Sequence, residues 1–172
     1  PPPRFPEIIN NENKNIEPEY IHPSMDKKRR ELPFSLEGRT HYDEGYLTPE
    51  QVNFIFKFLP VDITYVDEND RVIFYNRGDD RVFPRSAGII GREVKFCHPP
   101  KSVDQVLKIL EEFKAGRKDI ADFWINFKGK FVHIRYFAVR DKQNNYKGVI
   151  DMSQDVTDIR ALQGEKRLLD WE

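Results

Sequence analysis

The chain has 172 residues, 33% of them charged, with a formal net charge of −1, one cysteine and four histidines. That length predicts one domain, and the charge balance creates no global field to attract nucleic acid or an anionic membrane. The apolar stretches fall far short of the roughly 20 residues of a membrane span, no signal-peptide pattern opens the chain, and a lone cysteine forms no internal disulfide, which points to a reducing cytoplasm.

Residues 1–45 hold seven of the twelve prolines among Asn, Glu, Lys and Arg, without a sustained apolar period, and read as an extended arm or linker. The chain opens "PPPRFPEI" without an initiator methionine and is read as a piece of something longer. "MDKKRRE" lacks interleaved aromatics and reads as a solvated turn of helix, not a nucleic-acid patch.

Regular signals begin at Tyr46, and a helix is expected over 48–59. Thr48 is its N-cap, Pro49 its first residue, and Gln51 completes a capping box. Val52, Ile55, Phe56 and Leu59 form one apolar stripe, and Phe54 and Phe58 a second on another face, so the helix needs two surfaces to pack on. "DITYV" and "RVIFYN" read as a hairpin. "SVDQVLKILEEFKAG" is the best helical stretch, with Ser102 as cap, Gln105 closing the box, Val103, Val106, Leu107, Leu110 and Phe113 inside, and Gly116 as stop. "DFWINF" and "KFVHIRYFAVR" form a second hairpin turning at Lys128-Gly129, and "KGVIDMSQDV" is a fifth strand. The tail is expected as a helix over 158–170, with Ile159, Leu162 and Leu169 on one side. This order gives an α+β fold, an antiparallel five-stranded sheet with helices on one face.

Several motifs resemble a PAS sensor domain over about residues 48–170. They are "ITYVDENDRVIFYN" with Asn76 before the next helix, the "IIGREV" turn, the "FAVRDKQNNYKGVI" turn with Ala138 for proline and Asn145 for glycine, and the closing Asp155, Val156, Thr157 signature. More narrowly, "CHPPKSVDQVLKILEEFKAGRKD" and "FWINFKGKFVHIRYFAVRD" look like the C-terminal PAS domain of proteins that carry a hemerythrin-like domain upstream. The resemblance implies a non-enzymatic sensor with an interior cavity for a small molecule or cofactor, read out through terminal helices.

Side chains alternate along strands, so Phe123, Ile125, Val132, Ile134, Tyr136 and Ala138 share one face, and Trp124, Phe131, His133, Arg135 and Phe137 the other. By analogy with PAS domains the first face looks inward. On the fifth strand the same parity puts Val149, Asp151 and Ser153 inside, with the Asp151 carboxylate satisfied by Tyr136, Ser153 and His98 or water, or by a ligand. The expected ligand contacts are Phe96, Cys97, His98 and Leu107 from one side, and Ile134, Tyr136, Asp151 and Ser153 from the sheet. The aromatic second face, with Phe54 and Phe58 of the first helix, is the expected homodimer interface.

Cys97 and His98 invite an enzymatic or metal reading. Adjacent residues held extended by Pro99-Pro100 point apart, no orienting Asn or Asp is identifiable, and a zinc site lacks paired ligands, so no catalytic or metal role is assigned. Haem is disfavoured because residues 102–115 contain no histidine, although an axial role for Cys97 or His98 stays open. Flavin adduct chemistry is not expected, since Gly91-Arg92 is followed by Glu93 and Val94 where light sensors place their cysteine. The cofactor is therefore unassigned. Two alternatives stand beside the sensor: a filled-core assembly domain serving a hemerythrin-like module, and a haem- or metal-dependent redox sensor.

Overall fold

The computed structural model describes Leu32, residues 34–76 and residues 81–169. The charge run at 25–31, most of the proline-rich arm, the start of the helix expected after Asn76 and the last residue of the expected tail helix lie outside the described residues. The chain divides into two units, Arg39–Leu162 and a second made of Pro1–Gly38 with Gln163–Glu172. The described residues of the second unit form turns without helix or strand.

Arg39–Leu162 begins with a miniature sheet, β1 (Thr40–His41) paired with β2 (Tyr46–Leu47). Then α1 (Pro49–Phe58) starts as its sequence dictates: Thr48 Oγ1 accepts from Gln51 N and Gln51 Oε1 from Thr48 N. The main antiparallel sheet contains β3 (Asp62–Asp67), β4 (Val72–Tyr75), β5 (Ile120–Phe127), β6 (Lys130–Arg140) and β7 (Tyr146–Asp155), in the order β4-β3-β7-β6-β5. α2 (Pro100–Lys114) crosses its inner face, and α3 (Thr157–Ala161) follows β7. The α+β architecture is as expected.

The register follows from the turns. Lys128 (φ 49°) and Gly129 (φ 78°) both take left-handed conformations, the two-residue turn that matches strand twist, so Trp124 opposes His133 and Ile125 opposes Val132. β7 then sets Asp151 opposite Tyr136 and Ser153 opposite Ile134. Val66, Val72, Val132, Ile134, Tyr136 and Val149 pack against Val106, Leu110 and Phe113 of α2 to form the core. Gly148 (φ 129°) sits where a Cβ would collide with the carbonyl oxygen of Val66, so β7 passes β3 closely only as glycine.

Four local expectations are corrected. The long helix begins two residues before Ser102: Pro99 is its N-cap and Pro100 its first turn, and Ser102 Oγ donates to Pro99 O without capping the helix. Residues 97 and 98 are consequently not an extended run, since Val94–Phe96 form a 3-10 turn and Cys97 is helical (φ −101°, ψ −7°). The left-handed residue of the β6–β7 turn is Asn144 (φ 66°), not Asn145, which instead donates from its backbone N and Nδ2 to Asp141. The tail helix stops at Ala161, where Leu162 turns extended (φ −63°, ψ 137°), and among the described residues Ile159 stays 53% and Leu162 76% exposed.

Candidate functional site

Between α2 and the inner face of the sheet lies a cavity of about 30 Å³. At roughly 10–15 Å³ per water, that is room for about two waters or a ligand of their bulk. Val66, Val72, Ile89, Val94, Val106, Leu110 and Val149 supply apolar wall, interrupted by Thr64, Arg85, Cys97, His98, Tyr136 and Asp151.

The polar groups are incompletely paired. Asp151 Oδ2 stands 3.7 Å from the Arg85 guanidinium, and Ser153 Oγ donates to Asp151 Oδ1 at 3.4 Å. Burial outweighs both partners and lifts the Asp151 carboxyl to about 6. Burial and then Arg85 lower the His98 pKa, which keeps the imidazole neutral at neutral pH. Burial raises the Cys97 thiol against the pull of Arg85 and Arg92, and Cys97 Sγ donates to Glu93 O at 3.5 Å. A protonated thiol so placed is a poor nucleophile. Tyr136 is raised by burial and by Asp151. Thr64 Oγ1 and Arg85 Nε are sealed from solvent without a hydrogen-bond partner.

Cys97, His98, Tyr136 and Asp151 converge on this cavity. Ser153 lies one step behind on Asp151, and Ile134 is core at 5% exposure. Phe96 and Leu107 are corrected: they turn outward at 65% and 37% exposure. The 3-10 turn over 94–96 turns Phe96 out, and on α2 the stripe Val106, Leu110 and Phe113 faces the sheet and leaves Leu107 at its margin. Sequence reasoning missed Thr64 and Arg85. Thr64 was accessible to the same parity rule, being two residues from inward Val66 on β3. Arg85 sits in an irregular segment where no period operates, and its only signal was that a buried carboxylate wants a cation.

A second polar cluster adjoins the site. Asn76, 3% exposed, accepts from Ile63 N (2.7 Å) and the Arg81 guanidinium (2.9 Å), and donates from Nδ2 to Phe56 O (3.0 Å) and Val61 O (2.8 Å). Arg81 Nε lies 4.0 Å from Asp62 Oδ2, which accepts from Val82 N. All four hydrogen-bonding capacities of the amide are thereby used, and the last turn of α1 is tied to the start of β3. At the other terminus the Asp155-Val156-Thr157 motif acts as a staple. Asp155 Oδ1 accepts from Thr157 N and Oγ1, Thr157 Oγ1 accepts from Phe131 N (2.8 Å), and Val156 N donates to Phe131 O.

On the outer face Trp124 is 63% and Ile120 57% exposed, and α1 has no buried residue, with Phe54 at 46% and Phe58 at 76%. His133 pairs with Asp122 at 2.6 Å, Arg135 lies over the Phe137 ring, and Arg160 stacks 3.8 Å from the Phe131 ring centre. Phe131, His133, Arg135 and Phe137 are each half-buried.

Among the described residues no three His, Cys, Asp or Glu side chains gather as a metal site. Among the described residues the cavity is about a tenth of the 300 Å³ or more of an ordinary small-molecule pocket, too small for a haem or flavin. Among the described residues no helix is long and apolar enough to cross a membrane.

The family of the PAS domain matches residues 52–157. A C-terminal domain from Streptococcus mutans is 35% identical with a TM-score of 0.68, over 75% of this chain and 100% of that one. A PAS domain from Colwellia psychrerythraea is 16% identical with a TM-score of 0.48, over 63% of this chain and 97% of that one. No curated protein matches. With its sheet order, its closing Asp-Val-Thr staple and the family match over most of the sheet, the chain belongs to the PAS domain family, a family of sensor modules.

Proposed function

We propose that this PAS domain is a non-enzymatic, cytoplasmic sensor that holds a small molecule in the cavity beneath α2 and reports its presence through α1 and α3 in a homodimer. One observation carries the reading: Thr64 Oγ1 and Arg85 Nε are unpaired in the cavity wall. Leaving a buried polar atom unpaired costs about 1–3 kcal/mol, which a core serving only to fill space has no reason to bear. The route out is short. Arg85 and Asp151 act electrostatically on Arg81, Arg81 bonds Asn76, and Asn76 bonds the last turn of α1. A ligand moves this chain only through unequal affinity for two arrangements of it.

Native mass spectrometry of the purified protein, before and after denaturation, tests the reading. A small molecule released on unfolding supports it, as does a rise in melting temperature when that molecule is added back. A protein that yields nothing, and that Thr64→Val stabilises, favours the filled-core assembly domain. The small volume and the exposure of the apolar side chains Trp124, Ile120 and Phe58 favour that second reading. The "CHPPKS" resemblance supports a hemerythrin-like module upstream in the full-length protein.

A further inference from the structure

We propose that the cavity takes a short-chain monocarboxylate of two or three carbons, its carboxylate held by Arg85 and Thr64 while Asp151 carries a proton. This rests on reading the cavity as a ligand site and adds the chemical class. Arg85 has five N–H donors, yet its one ion pair, to Asp151 at 3.7 Å, is too long for a direct hydrogen bond. Among the described residues its guanidinium makes no hydrogen bond, and Nε is sealed from solvent. Thr64, 4% exposed, adds an unpartnered hydroxyl. Arg85 and Thr64 therefore present donors that no acceptor among the described residues takes up. A carboxylate supplies two oxygens in the plane a guanidinium fork prefers. Val72, Val94, Val106 and Leu110 leave an aliphatic surface for a short alkyl group, and space for about two waters limits its length.

Charge decides where the proton goes. Asp62 on β3, Arg81 and Arg85 in the segment after β4, and Asp151 on β7 sum to zero, with neutral His98 and Cys97 before α2 and Tyr136 on β6 facing the same group. A monoanion would put a second negative charge beside Asp151. Protonating Asp151 restores the balance, and the reaction is complete as stated: ligand anion plus one proton from solvent gives the bound, neutralised site. A dianion would need two protons, and an ammonium would face Arg85.

The test is calorimetric titration of the whole chain with sodium propionate, from about pH 6 to about pH 8, in buffers of different ionisation enthalpy. The expected result is uptake of one proton on binding, with affinity falling roughly tenfold per pH unit above about 6. Arg85→Gln should weaken binding at least about tenfold. Asp151→Asn should bind equally across the range, as tightly as wild type at the acid end, with melting curves confirming that both variants fold. Propionate that fails to bind, propionamide that binds as tightly, or affinity independent of pH overturns the carboxylate. If propionamide binds or a non-acidic molecule is released from wild type, the cavity stands as a ligand site and only its class is wrong. If nothing binds or is released and Thr64→Val raises the melting temperature, the ligand site falls as well.

Discussion

Asp151 lies on β7 between an aliphatic wall and the Arg85 guanidinium, and its carboxyl rises from 3.8 to about 6 because burial outweighs both polar partners. The sign for stability follows from proton counts. Between about pH 4 and pH 6 the folded state binds this proton more tightly than the unfolded chain, so stability falls as pH rises through that window. At about 1.4 kcal/mol per unit the loss is on the order of 3 kcal/mol when complete. Asp151→Asn should remove that slope, seen as urea-unfolding curves that differ from wild type between about pH 4 and pH 6.5 and run parallel above it. Glu93, Glu112, Asp141 and Asp155 act in the opposite sense: hydrogen bonds to Lys95, Arg117, Asn145 and Thr157 lower their pKa values, so their stabilisation is lost only as pH falls below the ordinary carboxylate range. The inward aim of Asp151 was legible because a strand offers only two directions and Val149 had to be buried. Its cation was not, since Arg85 reaches the cavity from a segment whose path depends on the folded whole.

α1 buries none of its side chains, although Phe56 meets the Phe74 ring at 4.8 Å, so its position depends heavily on the Asn76 amide. Asn76→Ala leaves Phe56 O, Val61 O and Ile63 N without that partner and should cost about 3 kcal/mol, measured by urea unfolding. Amide exchange should rise in α1 well before the β6–β7 pair. Thr157→Val should release α3 in the same way at about 1–2 kcal/mol, with faster exchange at Phe131 and in residues 157–161 and little change at Val132. The elements that sequence reasoning placed well were those with a local cause: the Thr48–Gln51 box, and the Lys128-Gly129 turn with the alternation on either side. Those it misplaced had ends decided elsewhere. Pro99-Pro100 reads as a barrier yet serves as cap and first turn of α2, and past Ala161 the backbone turns extended at Leu162 despite the apolar spacing.

Among the described residues the outer sheet face exposes Trp124 and Ile120, and α1 exposes Phe54 and Phe58, and a second copy is the occupant proposed for these side chains. Trp124→Glu should yield a folded monomer whose dimer dissociation constant rises about thirtyfold or more, read by light scattering across a dilution series. A wild-type protein that stays monomeric at high concentration would remove the interface. The sheet order itself was not legible, because the central pairing of β3 with β7 joins residues more than eighty positions apart and leaves no local mark except Gly148. That pairing sets Asp62 against Ser153 at one end and Asp67 against Gly148 at the other, so the strand following α1 begins beside the strand that leads into α3. Tension applied through these two helices would load the ladder from a single end, peeling its bonds one after another where shear would strain them all at once. Such a geometry yields at low force, and the first contacts to part are those beside the Asn76 amide.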